Sequence, residues 1–122
     1  MFKITAIDKK PLIGIVGPCG SGKSTLSRRL NQHGLQTRHI AQEHSYVPYM
    51  WQRLTHPDVL VFLDASFAVA TSRRGLNWTA AEYAEQVFRL RHAREHADIY
   101  IDTDVLTPDQ VAQKVLDHLG IG

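Results

Sequence analysis

A chain of 122 residues, 43% hydrophobic and 21% charged, can build one globular domain around one core and is too short for two. A formal net charge of +2 is too small to argue for nucleic acid, and no apolar run approaches the roughly 20 residues that span a bilayer. The start, MFKITAIDKK, lacks the apolar region of a signal peptide, and the single cysteine, Cys19, cannot form an internal disulfide, so the expected compartment is the cytoplasm.

Taken in chain order, residues 2–7 alternate weakly and read as an antiparallel edge strand ahead of a turn at Asp8–Pro11. Pro11–Gly17 is an almost wholly apolar strand, of the kind that lies in the middle of a parallel sheet with helices on either side. Thr25–Gln32 has a helical pattern and stops at His33-Gly34. Gln36–Ala41 reads as a second, less apolar strand nearer an edge, and Tyr46–Leu54 as a helical or irregular crossover containing Pro48. Val59–Leu63 is the strongest strand, with Asp64 at its C-terminal end; Ser66–Arg74 follows as a helix halted by Gly75. Thr79–His96 reads as one long helix, opened by a capping box of Thr79 and Glu82. Ile99–Ile101 is a last short strand. Thr107-Pro108-Asp109 then opens a terminal helix that runs to Leu119 and ends at Gly120. Strands alternating with helices predict an α/β fold in three layers, α/β/α, with a small, mostly parallel sheet and a single domain over residues 1–122.

Gly17-Pro18-Cys19-Gly20-Ser21-Gly22-Lys23-Ser24 fits the pattern G-x-x-x-x-G-K-[ST]. It follows an apolar strand and leads into a helix, the setting that a phosphate-binding P-loop requires. Its glycines let the backbone come close to a phosphate, and successive N–H groups at a helix N-terminus form a nest for anions. Lys23 then stands near the β- and γ-phosphates, the Ser24 hydroxyl is placed to ligate Mg²⁺, and Thr25 reaches the α-phosphate. The expected ligands are therefore ATP or GTP with Mg²⁺. No N-K-x-D motif appears to choose between the bases. Cys19 has two readings, a redox-sensitive thiol or a tolerated small residue, and nothing in the sequence lowers its pKa to favour the first.

Here the chain resembles the small P-loop kinases, the group of nucleoside monophosphate kinases, shikimate kinase and gluconate kinase. The resemblance covers most of the chain. Beyond the motif it rests on Asp58–Ser66 followed by Arg73-Arg74, similar to the family's apolar strand and the helix that ends in an arginine at the base of a lid. It rests also on Arg89–Thr103, where Arg89 stands nine residues before Asp98 of an Ala-Asp pair. Thr103–Pro108 looks like the family's loop over the nucleotide base. The resemblance implies transfer of the γ-phosphoryl group to a small-molecule or nucleotide acceptor. The chain departs from the family in two places: only about 35 residues separate the motif from the 59–63 strand, and the lid shrinks to Gly75-Leu76-Asn77-Trp78. An acceptor site so shortened is missing, rebuilt, or completed by a second molecule.

Such chemistry needs a carboxylate beside Mg²⁺ or the acceptor hydroxyl. Asp64 ends an apolar strand as a metal-holding aspartate does, or else caps the following helix; Glu43 points into the site if the 36–41 strand is the other neighbour of the 11–17 strand. Arg73, Arg74 and Arg89 are the candidates to neutralise phosphate charge, ahead of Arg91 and Arg94. His92 and His96 have metal-ligand spacing but no third ligand on their helix, and Tyr46, Tyr49, Met50 and Trp51 read as packing beneath the crossover. Two functions follow: a Mg-dependent kinase acting on an unidentified small acceptor, or a nucleotide-binding, slowly hydrolysing module that works through a partner or a homodimer. A nucleic-acid end kinase draws only on the arginine-rich helix.

Overall fold

Leu12–Val16 forms strand β1, in which Ile13, Ile15 and Val16 are wholly buried. Apolar side chains on both faces of a strand need cover on both faces and pairing at both edges. β1 accordingly pairs in parallel with β2 (Gln36–His39) on one side and β3 (Val59–Asp64) on the other. β4 (Ile99–Asp102) joins β3, also in parallel, giving a four-stranded sheet of order β2-β1-β3-β4. The computed structural model describes residues 11–74 and 79–121, so the strand expected over 2–7, the lid over 75–78 and the Arg74 side chain lie outside the described residues.

Alternation along the strands sorts the core into two halves. Ile13, Ile15, Val61, Leu63 and Ile101 face helices α1 (Lys23–Gln32) and α6 (Pro108–His118), through Leu26, Leu30, Val111 and Val115. On the opposite face Val16, Leu60 and Phe62 meet Trp51 of α2 (Met50–Thr55), together with Leu90 and Ala93. Helices thus cover both faces of a parallel sheet, as the alternating strands and helices predict. β2 is an edge strand with Gln36, Arg38 and His39 exposed, again as its weaker hydrophobicity predicts. The Ala97-Asp98 pair has a local role: Asp98 accepts the Leu60 N–H at 2.8 Å and its own N–H returns to the Leu60 carbonyl at 2.8 Å, which fixes the start of β4 against β3. No helix among the described residues is long and apolar enough to cross a membrane.

The chain runs from β3 into α3 (Phe67–Arg74). The helix expected over Thr79–His96 is two helices, α4 (Ala80–Arg89) and α5 (Arg91–His96), with a turn at Leu90. The expected capping box of Thr79 and Glu82 is present. At the break two carbonyls of α4 are taken by side chains, one from a distant segment and one from the next turn. The Arg89 carbonyl is taken by the Gln42 side-chain amide at 3.2 Å, and the Phe88 carbonyl by the Arg91 guanidinium at 2.7 Å. Leu90 can then turn its side chain wholly into the core. Gln42 begins a short 3₁₀ turn, Gln42–His44, and is itself fully buried. Besides Arg89 it donates to the Val47 carbonyl at 2.8 Å and accepts the Trp51 N–H at 2.8 Å. A Gln42→Met substitution keeps the volume, removes all three bonds and strands the buried Trp51 N–H. It should lower the unfolding free energy by about 2–4 kcal/mol in urea denaturation, with little change in the slope of the transition.

Candidate functional site

The loop after β1 is held by close backbone contacts. Gly17 has φ +155°, and a Cβ there would lie 2.1 Å from the Leu63 carbonyl oxygen at the end of β3. Gly20, at φ +85°, is pressed as closely on α3, where a Cβ would meet the Ala70 carbonyl at 2.6 Å. Only glycine lets the loop sit in this crevice. The Ser21 N–H closes a turn on the Pro18 carbonyl at 3.1 Å, and Gly22 then caps α1 without any side-chain hydrogen bond. The first turn of α1 therefore presents its N–H groups at the mouth of the loop.

Lys23, the first residue of α1, folds back over this loop. Its Nζ donates to the carbonyls of Gly17 at 2.7 Å and Pro18 at 3.3 Å, and forms an ion pair with Glu43 Oε2 at 2.7 Å. Both side chains are almost buried, Lys23 at 10% exposure and Glu43 at 4%. Glu43 stands in the 3₁₀ turn after β2, so its approach to Lys23 depends on β2 lying directly beside β1. Its second oxygen, Oε1, is buried with no hydrogen-bond partner among the described residues. Cys19 Sγ lies 3.5 Å from Glu43 Oε2 and 3.3 Å from His44 Nε2.

These groups border a cavity of about 430 Å³ whose lining includes Gly22, Lys23, Ser24, Thr25, Glu43 and Arg73. Arg73, from α3, reaches the Gly20 carbonyl at 3.3 Å and the Thr103 hydroxyl at 2.9 Å, and also binds the Thr103 carbonyl. A second, mostly apolar cavity of about 190 Å³ adjoins the first, sharing Gly22, Thr25 and Arg73 and closed by Leu106, Pro108 and Val111. The loop, Glu43 and Arg73 thus converge at the C-terminal edge of the sheet, where open parallel sheets hold ligands.

Other expected residues lie elsewhere. Asp64, expected as a metal ligand with Ser24, is not among the residues that line the cavity of Lys23 and Ser24. β3 carries it to the far side of β1, where Arg94 binds its Oδ2 at 3.1 Å, Tyr100 hydrogen-bonds the same oxygen, and Oδ1 accepts the Ala65 N–H at 3.0 Å. Arg89 is set back from the cavity: it pairs with Glu85 at 3.1 Å, stacks on the Tyr46 ring at 4.2 Å and reaches the Glu43 carbonyl at 3.5 Å. It steadies the turn that carries Glu43. Arg91 lies over Phe88, apart from Arg94. Trp51 is buried as expected and donates its indole N–H to His92 Nδ1 at 3.1 Å, whereas Tyr46 is 84% exposed, against the expectation of packing.

Two further residues shape the site. Gln86, buried on α4, accepts the Cys19 N–H at 3.0 Å and ties the loop to that helix. Its signal in the sequence is a polar residue on the stripe of Tyr83, Gln86 and Leu90, the inward face of α4. Thr103, buried after β4, receives Arg73 and meets the Ser21 carbonyl at 3.1 Å.

Around Asp64, burial and then the charges of Asp64 and Asp104 push the Tyr83 hydroxyl up to about 12, and burial with the bond to Asp64 raises Tyr100 as well. A phenol with a raised folded pKa contributes stability that is fully present below its unfolded value of about 10 and is lost as pH climbs through the folded value. Denaturation curves should therefore show stability falling between about pH 10 and pH 12, and a Tyr83→Phe variant should lose less over that window. No family model matches the chain and no curated protein matches it in sequence, so its function has to be read from the cavity itself.

Proposed function

We propose that the chain is a P-loop protein that binds a nucleoside triphosphate with Mg²⁺ and transfers its γ-phosphoryl group to a small acceptor. The observation that carries this reading is the convergence of Lys23, Ser24, Glu43 and Arg73 on a cavity that borders the glycine-rich loop and the N-terminus of α1. Triphosphate brings concentrated negative charge. The free N–H groups of the first turn of α1 and the Lys23 ammonium are the groups that would meet it. Lys23 then exchanges the Gly17 and Pro18 carbonyls for phosphate oxygens. Arg73, braced by Thr103 and Gly20, adds charge on the opposite wall. The adjoining apolar cavity under Leu106 and Pro108 suits a nucleobase.

The residues fit Mg²⁺. Ser24 is exposed on the cavity wall, and the partnerless Oε1 of Glu43 is a carboxylate oxygen with charge to offer. Ser24 and Glu43 are the residues that would hold the ion, which when bound neutralises phosphate charge. Glu43 is otherwise the group that orients, or takes the proton from, an acceptor hydroxyl. Asp64, engaged through both oxygens, has no part in this chemistry.

The test is ADP release by the purified protein with Mg²⁺ and ATP, in the presence of pools of nucleosides, nucleotides, sugars and hydroxy acids. One pool should raise ADP release well above the rate with ATP alone. Lys23→Ala should abolish the increase, and Glu43→Gln should cut it by at least about 100-fold. Tight ATP binding with no response to any pool would replace the kinase with a nucleotide-binding module acting through a partner or a homodimer. Absence of ATP binding would defeat both.

A further inference from the structure

Three side chains of unlike chemistry meet beside the glycine-rich loop: the thiol of Cys19, the carboxylate of Glu43 and the imidazole of His44. Sγ and Nε2 are 3.3 Å apart, Sγ and Oε2 3.5 Å, and Nε2 and Oε2 3.9 Å. From this triangle we infer that Cys19, Glu43 and His44 form a binding site for a thiophilic divalent cation, Zn²⁺ above all.

The distances argue for it first. Around a tetrahedral ion with Zn–S of about 2.3 Å and Zn–N or Zn–O of about 2.0 Å, ligand atoms stand about 3.3–3.5 Å from one another. Two edges of the triangle already have that length, and the third must close by about half an ångström. His44 makes that adjustment cheaply, since its side chain is 59% exposed while Glu43 is held in place. Three protein ligands leave a fourth position for water or another oxygen, the coordination of an open zinc site.

Charge argues for it next. Glu43 is buried with Oε1 partnerless among the described residues, and the cation paired with its Oε2, Lys23, is shared with two backbone carbonyls. A dication satisfies all three groups together: it stabilises the thiolate, takes the imidazole lone pair and compensates the carboxylate. Sulfur and imidazole select Zn²⁺ over Mg²⁺, which prefers oxygen ligands. The site is separate from the stacked pair His92 and His96, on α5, where Trp51 occupies His92 Nδ1.

Because Lys23 and the metal share Glu43 Oε2, they compete for the same carboxylate. The metal needs no nucleotide to bind, and its test is independent of phosphoryl transfer. Reduced, metal-free protein is titrated with Co²⁺ and with Zn²⁺, the latter against a chromogenic chelator. One equivalent should bind. Co²⁺ should give the near-ultraviolet thiolate charge-transfer band together with the intense visible bands of four-coordination. Cys19→Ser should remove the charge-transfer band and weaken Zn²⁺ at least tenfold, and His44→Ala, at an exposed position, should weaken it comparably. Lys23→Met should tighten Zn²⁺ several-fold by removing the competing cation, and His92→Ala should change nothing. Far-UV circular dichroism confirms that each variant is folded, and His44→Ala decides the matter should Cys19→Ser fail to fold. No thiolate band, Zn²⁺ affinity that survives His44→Ala, or affinity lost with His92→Ala would each overturn the site.

Discussion

The contact on which the site depends is the ion pair of Lys23 and Glu43. It joins the loop after β1 to the turn after β2, and it puts two charges almost out of water. Each is tolerable only because of the other: removing one partner of a buried pair costs about 3–5 kcal/mol, most of it from the charge left behind. The pair also sets the charge arithmetic of the cavity. Whatever draws the ammonium away must be strongly negative, and the carboxylate then needs a new counter-charge. A phosphate group meets the first condition. A divalent cation, or a proton from an acceptor, meets the second. Mg²⁺ beside Ser24 and a thiophilic ion on Cys19 and His44 are two answers to that single requirement.

The pair exists because of strand order. With β2 directly beside β1, the turn after β2 delivers Glu43 to the loop after β1. With β3 on the other flank of β1, Asp64 comes out beyond the loop, within reach of Arg94 and Tyr100. Asp64 closes β3 and Glu43 stands in the turn after β2, and the two differ in what the neighbouring strand brings near. Gly17 and Gly20 complete the arrangement. Their missing side chains let the loop press on Leu63 and Ala70, which keeps the Gly17 carbonyl within reach of Lys23.

How much of this was legible follows the range of the interactions. The apolar runs at Leu12–Val16 and Val59–Leu63, the glycine-and-lysine motif, and the caps at Thr79 and Thr107 are local patterns, and each lies where the sequence places it. The choice between Glu43 and Asp64 was open in the sequence because it turns on which strands are neighbours, and local patterns do not encode that. The turn at Leu90 was illegible for a similar reason. Residues 80–96 hold no glycine or proline, and the helix is interrupted by Gln42, 47 positions away from Arg89. Gln86 and Gln42 are both buried amides whose partners are backbone groups of distant segments, so composition alone gives them no role. Tyr46 was misread because an aromatic residue was assumed to seek the core. Its ring finds the Arg89 guanidinium at the surface instead, an arrangement that cation–π attraction supports without burial.

The treatment of polar groups separates scaffold from site. Gln42 has all its described hydrogen bonds inside the protein, Asp64 uses both oxygens, and Asp98 is bonded to the strand it aligns. Among the described residues three buried side-chain atoms lack a partner: Ser21 Oγ, Arg29 Nε and Glu43 Oε1. Two of the three border the glycine-rich loop. A buried oxygen without a partner costs on the order of 1–3 kcal/mol, and proteins this well satisfied elsewhere rarely carry that cost without a use for it. Glu43 is the more telling of the two, because its unmatched Oε1 belongs to a carboxylate whose other oxygen, Oε2, stands where Lys23, Cys19 and His44 converge. The same carboxylate whose buried Oε1 costs stability is the group best placed to hold a cation there.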